Sequence, residues 1–307
     1  MFHEFSRLGL EDWLDLYTEE DVMQMFANQV IVLNHNEKHT FDNLLSLTPV
    51  SSGFHIGSSN WCVEVAQMKL VLLTNASVDV AYRHPMPFSE RLLRNADCML
   101  ISSIVPKSKR PSFDGQISCL LNKMIECLQS NINAKVLMPV QPFFILEIVD
   151  ILLHKIDSRV KIVFMSESAQ SLIEYANINL EYLNPMLQGK IYNTENPLSF
   201  DKLIASGRLS IYKDIQEYLT AHKKRHSNDN SMFTFNEYTR ELLICSHHSL
   251  RLGDSVYWLH NLNKHLAQSS HLILTDPYLL DNELLLKPFK NSLKVHYCPI
   301  NPSVNFN

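Results

Sequence analysis

The chain has 307 residues, of which 46% are hydrophobic and 19% charged, and a formal net charge of -5. That length can bury one large core or two, the apolar share excludes a disordered chain, and the acidic balance excludes an overall basic field that would draw in nucleic acid. Six cysteines with no C-x-x-C pair among them read as reduced, mostly buried thiols rather than a disulfide framework.

Residues 1–21 are acidic and amphipathic, without the basic start and apolar stretch of a signal peptide. No run reaches the roughly 18 apolar residues that a bilayer span needs. The expectation is an intracellular chain, cytosolic or nuclear, with no membrane partner. Thr18 is placed to cap a helix with Asp21 at the capping-box position, and Val22, Met23, Met25 and Phe26 supply its apolar faces. Short strands are predicted next, at 29–33, 61–65 and 68–73. Only Ala66 and Gln67 separate the last two, which predicts a hairpin despite a turn that is not Asn-Gly.

After Pro85 the rhythm changes. Continuous apolar runs at 98–101, 135–138, 161–165, 242–245 and 272–274 alternate with helix-length segments at 114–131, 143–156, 168–183 and 252–268. This pattern predicts an α/β fold with a mostly parallel sheet and helices on both faces. A further strand is expected at 294–300, and 301–307 end the chain without a closing helix, so both ends are expected to cut through a larger fold. The predicted core is Val30, Val32, Leu70, Leu72, Leu100, Val136, Leu137, Ile162, Phe164, Leu243 and Ile273.

Residues able to carry chemistry are scattered. His222 and His226 have i,i+4 spacing but flank Lys223, Lys224 and Arg225 in a polar stretch that reads as a solvated loop. His247 and His248 are adjacent, so on extended backbone they point to opposite faces and do not share an ion. Ser102 and Ser103 end a strand without a G-x-S-x-G elbow. Lys107, Lys109 and Arg110 follow the same strand and read as a solvated loop that can touch phosphate. With seven glycines and neither a P-loop nor G-x-G-x-x-G, a nucleotide-binding α/β domain is disfavoured.

The most informative segment runs from Thr48 to Trp61, where small residues crowd Gly53 and Gly57 ahead of an aromatic and a strand. It resembles the third metal motif of the metallo-β-lactamase nucleases that process RNA and carry an inserted β-CASP domain. In that family the pattern is Gly-His-x-x-Gly, and the histidine position corresponds here to Phe54, with His55 one residue later. A bridging aspartate should follow the strand that begins at Lys69-Leu70, and Asn75 stands there. The first β-CASP acid corresponds to Ser102, and a histidine near the C-terminus corresponds to Ser303, ahead of Asn305-Phe306. The first metal motif, H-x-H-x-D-H, does not occur, and its region is expected upstream of Met1.

The resemblance therefore implies a partial metallo-β-lactamase fold: residues 1–105 as its C-terminal part, 106–293 as a β-CASP insert, and 294–307 as a return strand. Phe, Asn, Ser and Ser at four ligand positions imply an inactive member, with no catalytic residue, cofactor or metal at that site. Inactive members also share the stretches at 248–254 and 297–306. They act as noncatalytic scaffolds paired with a catalytic endonuclease of the same fold, in 3′-end processing of small nuclear RNA and nascent transcripts in the nucleus. Some contact with RNA is part of that expectation. Within the family, the noncatalytic subunit of the cleavage and polyadenylation machinery is a sister reading. From another class, a working hydrolase would need a relocated metal site, with His55, Asp79, His247 and His248 as its candidates.

Overall fold

The computed structural model describes residues 18–77, 84–102, 113–140, 142–223, 240–246, 248–251, 253–265, 270–276, 286–287 and 293–300. Helix α1 (Glu19–Gln29) opens on the expected capping box. The Thr18 hydroxyl accepts from Asp21 N at 3.1 Å, and Asp21 Oδ2 accepts from Thr18 N at 2.7 Å. No described side chain of α1 is buried. The strand expected at 29–33 is not formed, because helix takes Gln29 and the next residues are irregular.

The first sheet contains β1 (His39–Phe41), β2 (Leu45–Ser51), β3 (Ser59–Val65), β4 (Met68–Leu73) and β5 (Cys98–Ile101), in that order. Its pairs are antiparallel except for β4 with β5. The β3–β4 hairpin forms as predicted, with Ala66 taking the positive φ of 54° that its two-residue turn demands.

Side-chain parity on this sheet differs from the expectation. Val71 and Leu73 are the buried residues of β4, whereas Leu70 and Leu72 are half-buried and Leu100 is 56% exposed. Val30 and Val32, at 43% and 85% exposure, are also outside the core. The physical reason is one-sided cover. Phe88 and Leu92, from the segment between β4 and β5, pack on Cys62, Val71 and Leu73. Among the described residues, no matching cluster covers Leu70, Leu72 and Leu100, so apolar patterning alone picks the wrong face.

The second sheet is entirely parallel and is the large core. It contains β6 (Lys135–Pro139), β7 (Lys161–Met165), β8 (Leu209–Tyr212), β9 (Glu241–Cys245), β10 (Ser270–Leu274) and β11 (Lys294–Tyr297), in the order β11-β10-β6-β9-β7-β8. Every residue of β6, β9 and β10 is buried, as expected of strands covered on both faces. Val136, Ile162, Phe164 and Ile273 face one cluster, built with α2 (Phe113–Gln129), α3 (Pro142–Lys155) and α4 (Ala169–Ile178). Leu137 and Leu243 face the other, built with α7 (Ile215–Lys223) and α8 (Asp254–His265). These six residues meet the sequence expectation. Between α4 and α7 lie α5 (Pro185–Tyr192) and α6 (Phe200–Ala205), which the sequence reading left unassigned together with β8.

One expectation is corrected by strand pairing. Lys294–Tyr297 lies parallel to β10, with Leu272 opposite Val295, so this strand is the edge of the parallel sheet and not a strand of the first sheet. Parallel pairing follows because both strands enter from the same end of the layer. Among the described residues no helix is long and apolar enough to cross a membrane.

Candidate functional site

The segment between β2 and β3 is a tight loop stitched by its own serines. Ser52 N donates to Ser58 O at 2.9 Å, Phe54 N to Ser52 Oγ at 3.1 Å, and His55 N to Ser58 Oγ at 3.1 Å. The Ser58 hydroxyl donates to His55 O at 2.8 Å, so the Ser52 hydroxyl donates in the contact between the two. Small hydroxyl residues here satisfy backbone groups that a tight turn would leave unpaired. Gly53 (φ 69°) and Gly57 (φ 79°) supply left-handed backbone at both ends of the turn.

The loop touches its neighbours closely. Ser77 N donates to Ser52 O at 2.8 Å, and Phe88 N donates to Ser77 O at 2.8 Å. Asn60, fully buried, reads the end of β4. Its Nδ2 donates to Asn75 O at 2.8 Å and its Oδ1 accepts from Thr74 N at 2.9 Å. On the parallel neighbour, Ser102 N donates to Leu73 O at 2.9 Å and Ser102 Oγ to Thr74 O at 2.7 Å. Phe54, Asn75 and Ser102 thus stand at one end of the first sheet. Phe54 and Asn75 are half-buried and Ser102 is exposed. Ser303 lies outside the described residues. An amide, a hydroxyl and an aromatic ring can hydrogen-bond or stack with a ligand, but they are poor ligands for a hydroxide-generating ion.

The loop tip reaches into the second layer. Ile56 joins the large core, and His55, Ile56 and Gly57 line a cavity of about 310 Å³ with His84, Leu146, Glu147, Leu172 and Tyr175. Burial pushes the Tyr175 phenol pKa up, which keeps its hydroxyl protonated. The two layers are joined here by backbone. Met86 N donates to Tyr182 O at 2.7 Å and Asn184 N to His84 O at 2.8 Å. The Tyr182 hydroxyl donates to Asn34 Oδ1 at 2.7 Å, and its ring meets His35 edge-on at 4.7 Å.

His84 was not singled out in the sequence, yet it anchors this junction. It is 6% exposed, and its Nε2 lies 3.1 Å from Asp150 Oδ2. Ser199 Oγ donates to Asp150 Oδ1 at 3.0 Å. Burial raises the Asp150 pKa, but the hydrogen bonds and charge supplied by His84 and Ser199 outweigh it and leave the carboxyl below its ordinary 3.8. A carboxyl depressed in the fold contributes stability above its unfolded pKa and loses it as pH falls through the folded value. His84→Ala should therefore cost about 1.5–3 kcal/mol at neutral pH. That difference should shrink as pH drops below 3.8. Urea melts of both proteins across the acid range check this, and an undiminished difference at the lowest pH would refute it.

The other candidates separate. His248 Nε2 lies 3.2 Å from Asp276 Oδ2, in segments that follow β9 and β10, whereas His55 lines the cavity. Asp79, His226, His247, Lys107, Lys109 and Arg110 lie outside the described residues, and His222 is in α7. A cluster that sequence reasoning missed is formed by Cys127, His271 and His296. Its members are separated along the chain by most of the parallel sheet, so no local spacing announces it.

No family model matches the chain. Among solved structures, a protein of unknown function from Enterococcus faecalis is similar with a TM-score of 0.47 at 12% identity, covering 89% of this chain and 56% of that one. Curated relatives are more informative. "Integrator complex subunit 9 homolog" of Nematostella vectensis is 28% identical over 97% of this chain and 43% of its own length. "Integrator complex subunit 9" of Homo sapiens is 26% identical over 96% of this chain and 42% of its length, and the Dictyostelium discoideum homolog is 27% identical over 96% and 39%. The chain spans about two fifths of the length of the curated relatives it matches. Across nearly all of its residues, this chain is similar to part of the curated proteins named Integrator complex subunit 9.

Proposed function

We propose that this chain serves as a noncatalytic scaffold subunit of an Integrator complex, supporting 3′-end processing of small nuclear RNA and nascent transcripts in the nucleus. The observation that carries the reading is the similarity to curated Integrator subunit 9 proteins over 96–97% of the chain. Its partners would be the catalytic endonuclease subunit eleven and other Integrator subunits, with RNA contact and no membrane. In this reading residues 1–105 are the C-terminal part of a metallo-β-lactamase domain and the parallel sheet is its β-CASP insert, which then extends through Tyr297.

The noncatalytic half of the reading is supported by chemistry. Phe54, Asn75, Ser102 and Ser303 stand where the family needs imidazole and carboxylate. A dinuclear zinc centre needs most of those ligands to hold its ions and acidify water. A relocated hydrolytic centre is the second reading, favoured by His55, His84 and Glu147 lining one cavity. The noncatalytic subunit of the cleavage and polyadenylation machinery is the third.

The test is affinity purification of the tagged full chain from its own cells, with small nuclear RNA 3′ ends sequenced after depletion. The expected result is recovery of subunit eleven and unprocessed 3′ ends, rescued equally by wild type and His55→Ala. Recovery of cleavage and polyadenylation subunits instead would overturn the Integrator assignment. Loss of rescue by a folded, complex-bound His55→Ala would overturn the noncatalytic role.

A further inference from the structure

At the β11 edge of the parallel sheet, three side chains with soft or borderline donor atoms converge. Cys127 comes from the last turn of α2, His271 from β10 and His296 from β11. One ligand atom of each lies within 4.8 Å of the others, the one such group among the described residues. The register explains the meeting. Ile273 pairs with His296 and His271 with Lys294, and alternate residues of a strand share a face. Ile273 faces the core cluster that also contains Cys127. His271 and His296 therefore project from the same side of the sheet, toward α2.

The hydrogen bonds set the tautomer. The Ser130 hydroxyl donates its single proton to Cys127 O at 2.7 Å. Its oxygen then accepts from His271 Nε2, 2.9 Å away. His271 is thereby the Nε2–H form, and its Nδ1 lone pair points at His296 Nε2, 3.0 Å distant. Metal-bound histidines are held in this way, with the nitrogen away from the ion donating to an oxygen. The rings stack, with centroids 5.3 Å apart and planes at 21°. Burial, followed by the charges of His296 and Lys294, pushes the His271 pKa down to about 4. Burial lowers His296 as well. Both rings are thus kept neutral; His296 Nε2–H donates to His271 Nδ1, and its proton would pass to His296 Nδ1 when Nε2 binds an ion. Glu126, ion-paired to Lys123 at 2.7 Å, is near enough for its charge to act on both imidazoles.

We propose that Cys127, His271 and His296 form a zinc site, with water completing a tetrahedron. Ligand atoms bound at about 2.0–2.3 Å from zinc lie closer together than 4.8 Å, so side-chain adjustments of an ångström or so complete the site. One thiolate with two imidazoles favours zinc over magnesium or calcium, which want oxygen. The Cys127 thiol, 1% exposed and pushed up to about 11 by burial, would give its proton to solvent as the Zn–S bond forms. The ion would pin edge strand β11 and β10 to a helix far earlier in the chain, a structural role independent of the nuclease-like positions.

The test uses the full chain purified without chelator. Elemental analysis should find about one zinc per chain, falling to background in Cys127→Ser and in His296→Gln. The second variant is made at a half-buried, milder position, and far-ultraviolet circular dichroism confirms its fold. Cobalt exchanged into wild type should give a thiolate-to-cobalt charge-transfer band that Cys127→Ser lacks, while Cys298→Ser keeps it. Chelation should lower the thermal midpoint of wild type and leave that of His296→Gln unchanged. Absence of both zinc and the cobalt band in wild type overturns the proposal. So does zinc that persists in Cys127→Ser and His296→Gln, or that leaves only with His55→Ala.

Discussion

Lys135→Met alone should bring this protein close to unfolding, whereas Lys135→Met combined with Glu241→Leu should restore most of the loss. Lys135 is fully buried at the start of β6, and Glu241 is its register partner at the start of β9, with Nζ 2.9 Å from Oε2. The Tyr218 hydroxyl donates to the same carboxylate oxygen at 3.4 Å. Burial drives the Lys135 pKa down, and the Glu241 charge pulls against it. Removing one member strands a charge in the core, which costs about 3–5 kcal/mol. Total stabilities of about 5–15 kcal/mol leave little after that. Replacing both members with apolar residues of similar volume removes the desolvation penalty together with the attraction. Urea denaturation of the two single variants and the double gives the coupling energy. A single variant that costs under about 1 kcal/mol, or a double that costs the sum of the singles, would contradict this account.

Gly53→Ala should be the other severe change. A Cβ at Gly53 would lie 2.0 Å from Ser77 O and 2.8 Å from Phe88 N, both backbone atoms. Neither can swing aside without breaking the hydrogen bonds that tie the glycine loop to the end of β4. The residue also sits at a φ of 69°. Left-handed backbone costs an L-residue about 1–2 kcal/mol and overpacking about 1–3 kcal/mol, so the sum is about 2–5 kcal/mol. Gly57→Ala offers an internal comparison. Its Cβ would meet the Tyr175 hydroxyl at 2.0 Å, the far end of a side chain. Most of its steric part should be relieved by Tyr175→Phe, leaving chiefly the backbone cost and a close contact with the ring carbon Cζ at 3.2 Å. Thermal melts of the three variants distinguish the cases. A Gly53→Ala protein that melts with wild type would show that the loop does not need this close approach.

The parallel sheet was legible because its strands are buried on both faces. Residues 135–138, 161–165 and 242–245 carry no polar alternation, and their apolar runs announce them without knowledge of the partner. In the first sheet β3, β4 and β5 were legible in position and not in parity, whereas β1 and β2 were not anticipated and the strand expected at 29–33 does not form. Leu70 and Leu72 look as apolar as Val71 and Leu73, and only the segment carrying Phe88 and Leu92 selects which pair is covered. Strand β8, at Leu209–Tyr212, is short and half-exposed, so its pattern falls below what a window can detect.

Part of the candidate site was reached from the sequence through the family resemblance alone, which singles out Phe54, Asn75 and Ser102, and the structure puts each of them at a strand end or glycine turn of the first sheet. The junction residue His84 was not, because its meaning depends on Asp150 of a distant helix. The Cys127 cluster was invisible for the same reason. Sequence spacing carries metal motifs when the ligands share one turn or hairpin, and here the pairing of β10 with β11 brings them together.

The order β11-β10-β6-β9-β7-β8 also sets a timetable for synthesis. Strand β6 ends up between β10 and β9, and neither neighbour exists when β6 leaves the ribosome. Its unpaired backbone edges must wait for more than half of the second layer to be translated. Such distant pairings fold slowly and expose aggregation-prone backbone meanwhile. Chaperone occupancy on ribosome-bound chains should accordingly rise once β6 has emerged and fall only after β10 has.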